Sequence, residues 1–180
     1  LTLALNINAS YKGFDLNVFV QAVYGNDIYN TNIYDLEGMP RLFNSGVAVL
    51  DRWTPTNPSN TVPRPGVGTN VQVSSRFVED GSYTRLKNIT LGYTVPSSII
   101  GNAVSKLRIY VSAQNLLTIT DYSGLDPEVG AYSGNRAGID YIGSPRTYGD
   151  GYPTVNFQNG IDFGVYPMPK SFIAGIQLTF

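Results

Sequence analysis

Strict alternation of apolar and polar side chains marks two neighbouring segments, 1–11 and 14–24. Every second position in them is apolar or aromatic, and the positions between include Asn6 and Asn8. Successive side chains of a β-strand point to opposite sides, so this pattern predicts strands with one apolar and one polar face. The two residues that join them, Lys12-Gly13, are typical of a tight hairpin turn.

The same alternation returns in three later segments, which predicts strands at about 82–95, 106–117 and 170–180. Two long segments, 25–81 and 118–169, are rich in glycine and lose this periodicity. We expect them to be loops, and loops of such length within one domain are uncommon and usually functional.

Two smaller elements are expected between the strands. A short strand is predicted at Val71–Val78, inside the first long loop. The connection 96–105 is short and is expected to hold one helical turn, because Pro96 ends the strand before it.

The lengths of the connections favour a transmembrane β-barrel. Each predicted strand has roughly the 9–11 residues that cross a hydrocarbon layer at a tilt. Because antiparallel strands alternate in direction, the short connections at Lys12-Gly13 and 96–105 fall at one end of the sheet and the two long loops at the other. Short periplasmic turns, long extracellular loops, an apolar outer face and a polar inner face are typical of outer-membrane barrels.

Alternation alone also fits a secreted carbohydrate-binding β-sandwich, in which apolar faces pack together and long loops bind glycan. That module is the alternative interpretation. Five strands cannot close a barrel in lipid, because the outer strands would leave unpaired backbone groups in hydrocarbon. If the chain forms a barrel, we expect it to be part of a larger one.

Composition removes most catalytic and nucleic-acid-binding functions. The 180 residues include no His and no Cys, which excludes a Ser-His-Asp triad, a thiolate nucleophile and the common zinc sites. A net charge of −1 without a Lys/Arg cluster gives no reason to expect nucleic acid. The sequence therefore predicts neither an enzyme nor a cofactor.

Several segments resemble, in the same order, segments of the SusC/RagA-type TonB-dependent transporters. They are RWTPTNP at 52–58 followed by Pro63-Arg64, VEDGSYTRLKNITLGY at 78–93, LRIYVSAQNLLTITDYSGLDP at 107–127 and YPMPKSF at 166–172. The resemblance extends over essentially the whole chain. It implies an all-β fold: the last five strands, at the C-terminal end, of an antiparallel transmembrane barrel of about 22 strands, with two long extracellular loops.

The resemblance also implies a function and partners. Such a protein is a multi-pass component of the outer membrane of a Gram-negative bacterium, and it imports oligosaccharides or oligopeptides in a TonB-dependent way. The TonB complex acts through an N-terminal part with a plug domain, which we expect to be absent from this chain. A SusD-like surface lipoprotein caps the barrel, outer-membrane lipid surrounds it, and two transporter–lipoprotein pairs commonly form a dimer.

Aromatic and cationic side chains of the long loops are the candidate contacts for substrate or partner, since aromatic faces match the apolar faces of sugars. They are Arg52, Trp53, Arg64, Tyr132 and Tyr148. The alternative is local packing, with Trp53 against the prolines of its own loop and the two arginines paired within it. The acidic residues of the second loop, including Asp126, Asp140, Asp150 and Asp162, show no metal-ligand or carboxylate-pair spacing and are expected to be solvated.

Polar side chains of the strands are expected to face the barrel lumen. The residues so assigned are Asn17, Gln21, Arg108, Tyr110, Gln114 and Gln177. They would either line the transport path or contact the plug, and the sequence leaves both possibilities open.

Overall fold

A computed structural model describes residues 1–40, 44–66, 70, 72–100, 104–129 and 160–180. The chain forms two compact units. The first, here called the sheet unit, comprises Leu1–Asn26, Asp80–Pro127 and Tyr166–Phe180, and the second, the loop unit, comprises Asp27–Glu79 and Glu128–Val165.

Strands dominate the described chain. Its elements are, in order, β1 (Thr2–Tyr11), β2 (Phe14–Val23), β3 (Asp27–Asn30), α1 (Thr31–Glu37), β4 (Val78–Asp80), β5 (Tyr83–Val95), α2 (Ser97–Ile100), β6 (Lys106–Thr120), β7 (Ile161–Asp162) and β8 (Ser171–Thr179). Two 3₁₀ helices lie at Val47–Asp51 and Ser75–Phe77. Among the described residues, no helix has the length and apolar character needed to cross a membrane.

One antiparallel sheet of five strands builds the sheet unit, in the order β1-β2-β5-β6-β8. Its strands lie in the five segments where alternation predicts them, and β6 continues to Thr120, three residues past the predicted end. The prediction of a strand at Val71–Val78 is wrong. Residues Ser75–Phe77 form a 3₁₀ helix, and β4 only begins at Val78.

The strand register places the apolar side chains on one continuous face of the sheet. One row across all five strands joins Ile7, Val18, Ile89, Ala113 and Phe172. Members of this face are largely exposed: the exposed fractions of Ile7 and Phe172 are 47% and 74%. On β2 the same face is half-buried at Leu16, Val18 and Val20, and Ala22 is buried at 8% exposure.

A β-bulge interrupts the register between β5 and β6. Leu86 pairs with Leu117 and Asn88 pairs with Gln114, which leaves Lys87 on β5 opposite two residues, Asn115 and Leu116, on β6. Asn115 has a positive φ of 50°. A β-bulge of this kind changes which residues share a face, because the alternation restarts after it.

The segments predicted as loops contain the secondary structure of the loop unit. Its sheet has the strand order β4-β3-β7, and β3 pairs with β7 in parallel. Phe77 is buried and packs edge-on against Tyr29 and Tyr34, with ring centroids 5.8 and 5.7 Å apart.

A buried polar network fixes the start of α1. Asn30 caps this helix, because its side-chain oxygen accepts a hydrogen bond from the backbone N–H of Asn32. Asp162 is fully buried, and its carboxylate accepts bonds from the side chain of Asn32 and from the backbone N–H groups of Gly164 and Val165. The expectation that Asp162 is solvated is therefore wrong: its carboxylate replaces water with these donors.

Candidate functional site

A chain of amide and hydroxyl side chains crosses the polar face of the sheet. Asn17 donates hydrogen bonds to the side-chain oxygens of Asn6 and Asn8, at 2.8 and 2.7 Å. Asn88 donates to Asn17, and Ser112 donates to Asn88, so that the chain joins β1, β2, β5 and β6. The polar face is thus a connected hydrogen-bonding surface, whereas the opposite face is apolar and exposed.

An ion pair lies on the same polar face, near the end of the sheet with the short connections. Arg108 on β6 contacts Asp15 on β2 in bidentate fashion, at 2.9 and 2.5 Å, across the intervening strand β5. Gly92 makes this possible, since a Cβ there would lie 2.5 Å from both partners. The pair is partly exposed, so water screens it.

Tyr110 lies flat on the polar face beside this ion pair. The Arg108 guanidinium is 5.1 Å from the centre of its ring. On the other side, Tyr110 covers Gly175 on β8, where a Cβ would lie 2.5 Å from the ring atoms. The two glycines, Gly92 and Gly175, allow large polar side chains to lie along the sheet.

A second ion pair lies at the opposite end of the sheet and is buried. Arg85 on β5 contacts Asp126 at 2.5 Å, and both residues are under 5% exposed. The guanidinium also donates to Thr118 on β6, and the second carboxylate oxygen of Asp126 accepts from the backbone N–H of Met168 at 2.9 Å. These four residues are called the Asp126 cluster below. The expectation that Asp126 is solvated is wrong, because the Arg85 guanidinium and the backbone N–H of Met168 replace water at its carboxylate.

Further hydrogen bonds order the chain around the Asp126 cluster. Thr120 donates to the carbonyl of Ser82, and its hydroxyl accepts from the backbone N–H of the buried Tyr122. The hydroxyl and the backbone N–H of Ser82 hydrogen-bond the carboxylate of Asp80 and lower the pKa of Asp80 below its ordinary value. The start of β5 is thereby tied to the chain that follows β6.

Three of the predicted contact residues, Arg52, Trp53 and Arg64, lie among the residues that the structure describes. Trp53 is 38% exposed, and its backbone N–H donates to the carbonyl of Val62. The Arg52 side chain donates to the carbonyl of Val49. Arg64 is exposed. Of the other residues named from the sequence, Tyr132, Tyr148, Asp140 and Asp150 lie outside the described residues.

The six residues predicted to face a lumen share the polar face. Register pairs Arg108 with Gln177, Gln21 with Arg85, and Gln114 with Asn88. Sequence reasoning missed Arg85 itself. Its position in the VEDGSYTRLKNITLGY segment was the available signal, but simple alternation assigns Arg85 to the same face as Ile89.

The groups on the polar face of the sheet are hydrogen-bond donors and acceptors. Among the described residues, no group of three or more acidic side chains is arranged to hold a metal ion. The polar face offers amides, hydroxyls, a guanidinium and a phenol. Such groups form hydrogen bonds with polar ligands or with a polar protein surface.

No protein-family model matches the chain. It is 37% identical over 180 residues to TonB-dependent receptor P3 of Formosa agariphila, covering 99% of this chain and 16% of that receptor. It is 26% identical over 181 residues to the TonB-dependent receptor SusC of Bacteroides thetaiotaomicron, covering 99% of this chain and 15% of SusC.

A solved structure agrees with these sequence matches. The structure of the RagAB peptide importer in its open-open state superposes with a TM-score of 0.75 at 30% identity, covering 99% of this chain and 17% of that chain. The resemblance to SusC/RagA-type TonB-dependent receptors is confirmed, and the chain is homologous to a part of them. It spans about one sixth of the length of these relatives.

Proposed function

We propose that the chain is a segment of a TonB-dependent outer-membrane importer, in which the five-stranded sheet forms part of the barrel wall. The apolar face would contact lipid, and the polar face would line the lumen. The complete barrel would have about 22 strands, so the outer edges of β1 and β8 would pair with strands elsewhere in the barrel. The observation that carries this proposal is the exposed apolar face, continuous over all five strands.

The exposed face also argues against the alternative of a carbohydrate-binding sandwich. A sandwich buries the inner apolar faces of two sheets against each other. Here Leu5, Val111 and Ile176 are 56%, 53% and 68% exposed, and no described residue covers them. In contact with lipid, an exposed apolar face of this kind carries no free-energy cost, because its surroundings are apolar as well.

Import of a nutrient together with a surface lipoprotein is the proposed activity of the whole receptor. The relatives named as SusC and as the RagAB peptide importer support this proposal. The proposal includes two substrate classes, oligosaccharides and oligopeptides. The TonB complex would act through the part of the receptor that contains the plug, and dimers of transporter–lipoprotein pairs remain part of the proposal.

The long segments between the strands are the proposed contacts for the lipoprotein and the substrate. The register aligns the end of β2, the start of β5 and the end of β6, so both segments leave the same end of the sheet. Loops on a rigid scaffold are where binding residues concentrate. Arg52, Trp53, Arg64, Tyr132 and Tyr148 stay candidates for these contacts.

Shortening one of these segments tests the proposal. In the full-length receptor, replacing 130–160 by a short Gly/Ser linker should leave a barrel that inserts into the outer membrane but loses its lipoprotein or its uptake. Copurification of the lipoprotein and uptake of labelled peptides and oligosaccharides are the measurements. A matched control changes a turn at the other end of the sheet, Lys12→Asn, which should leave both unchanged. Normal copurification and uptake with the linker in place would contradict the assignment.

A further inference from the structure

The guanidinium of Arg108 is held on the polar face by groups from neighbouring strands. Its Nε and Nη2 donate to the two carboxylate oxygens of Asp15 on β2, at 2.9 and 2.5 Å. It also lies 5.1 Å from the ring centre of Tyr110, in a cation–π contact. Gly92 on β5 leaves the space in which it lies. The guanidinium is therefore ordered before any further group binds it.

Only one edge of this guanidinium is used. A guanidinium has five N–H groups in one plane, and Asp15 accepts from the edge formed by Nε and Nη2. The other edge, formed by Nη1 and the second N–H of Nη2, has no hydrogen-bond acceptor in the part of the chain that the structure describes. The Arg108 side chain is 21% exposed, so a group from outside can reach it. A carboxylate matches such an edge with two parallel hydrogen bonds.

The strands of the sheet also contain more cations than carboxylates. The five strands have four cationic side chains, Arg85, Lys87, Lys106 and Arg108, and one carboxylate, Asp15. Lys106 lies two residues before Arg108 on β6 and therefore on the same face. It is exposed and forms no ion pair with any described residue. The end of the polar face with the short connections thus presents two cations to one carboxylate.

We propose that Arg108, together with Tyr110 and Lys106, forms a binding site for a second carboxylate. The hydroxyl of Tyr110 lies over Gly175, has no hydrogen-bond partner among the described residues, and is a further donor beside the guanidinium. Two sources present this chemistry in a lumen: an Asp or Glu of the receptor outside this chain, and an acidic oligopeptide in transit. The inference rests on the proposed importer function, because only a barrel places the polar face in a lumen.

Solid-state NMR of the full-length receptor in bilayers tests the site. Rotational-echo double resonance detects a ¹³C-labelled carboxylate within about 4 Å of the ¹⁵N-labelled Nη atoms of arginine, the range of a hydrogen-bonded pair. The Arg108 signal is the one that disappears in Arg108→Lys. Asp15→Asn removes the carboxylate already seen, while its amide oxygen still accepts from Nε. The matched control is Glu37→Gln, which removes the carboxylate from the exposed pair with Arg76.

We expect Arg108 to keep about half of its dephasing in Asp15→Asn, since one of two carboxylates remains. Arg76 should lose its dephasing in Glu37→Gln. A contact in the receptor without ligand assigns the second carboxylate to the receptor itself. A contact that appears only after addition of triglutamate labelled at its carboxylates assigns it to the ligand. Absence of the contact in both preparations of a folded Asp15→Asn receptor overturns the proposal.

The parent receptor decides if Asp15→Asn does not fold. Two carboxylates should raise the initial dephasing of Arg108 about twofold over that of Arg76, which has one. Equal dephasing of the two arginines, with and without triglutamate, would likewise overturn the site. A parent receptor that imports neither peptides nor oligosaccharides would refute the importer function, while the resonance measurement would still report the carboxylate at Arg108.

Discussion

At the scale of single residues, glycine and burial decide where polar side chains can lie. Arg108 reaches Asp15 only because Gly92 leaves the space between them, and Tyr110 lies flat because Gly175 is beneath it. Sequence alternation predicts the faces of these residues but not these distances. A large side chain can lie along the sheet only where the neighbouring strand has a glycine beside it. Alternation within one strand does not specify which residue of the next strand lies there.

The contact between Tyr110 and Gly175 gives a measurable coupling. Gly175→Ala should destabilise the receptor by about 1–3 kcal/mol, the usual cost of overpacking, because the new Cβ would overlap the tyrosine ring. The free energy of unfolding in denaturant, measured on receptor refolded into bilayers, reports this cost. In a Tyr110→Ser background the same glycine substitution should cost nearly nothing, since its clash is gone. Equal costs in the two backgrounds would show that the tyrosine does not lie over Gly175.

At the scale of elements, periodicity predicts regular strands and fails where the register changes. The bulge at Lys87 moves Arg85 to the polar face, although an odd-numbered position would place it with Ile89. A bulge depends on both strands, and one strand's pattern contains no sign of it. The loop unit was also missed, because β3 and β7 pair across more than a hundred residues and are only four and two residues long.

The hairpin between β1 and β2 is an element that the sequence does specify. Lys12 and Gly13 both have positive φ, 48° and 87°, the combination that a two-residue turn with the right twist requires. A Cβ on Gly13 would also lie 2.8 Å from the backbone oxygen of Thr94. Gly13→Val should therefore destabilise the folded receptor by more than the roughly 1–2 kcal/mol that left-handed backbone strain alone costs.

The measurement for this hairpin is the fraction of receptor that reaches the folded, heat-modifiable form after refolding. Gly13→Val should lower it, whereas the control Lys12→Asn should not, since asparagine tolerates a positive φ. Equal yields for Gly13→Val and the parent would mean that the turn does not have this geometry in the receptor.

At the scale of the whole molecule, the proposed function depends on the two faces of one sheet. Its apolar face runs across five strands and is most exposed on β1 and β8, and its polar face carries hydrogen-bonded amides and an ion pair. The relatives are receptors about six times as long, so this sheet would form only part of a barrel wall. The function of that wall follows only if the apolar face meets lipid and the polar face meets the lumen.

Spin labels placed one at a time along β6 of the full-length receptor in bilayers measure this directly. Collision with oxygen, which is concentrated in lipid, is compared with collision with a water-soluble nickel complex. We expect oxygen accessibility to peak at Leu107, Ile109, Val111 and Ala113 and to be low at Arg108, Tyr110, Ser112 and Gln114, with a period of two residues. Uniform access of the nickel complex to both sets, or an alternation with the opposite phase, would contradict the assignment of this sheet to a membrane barrel.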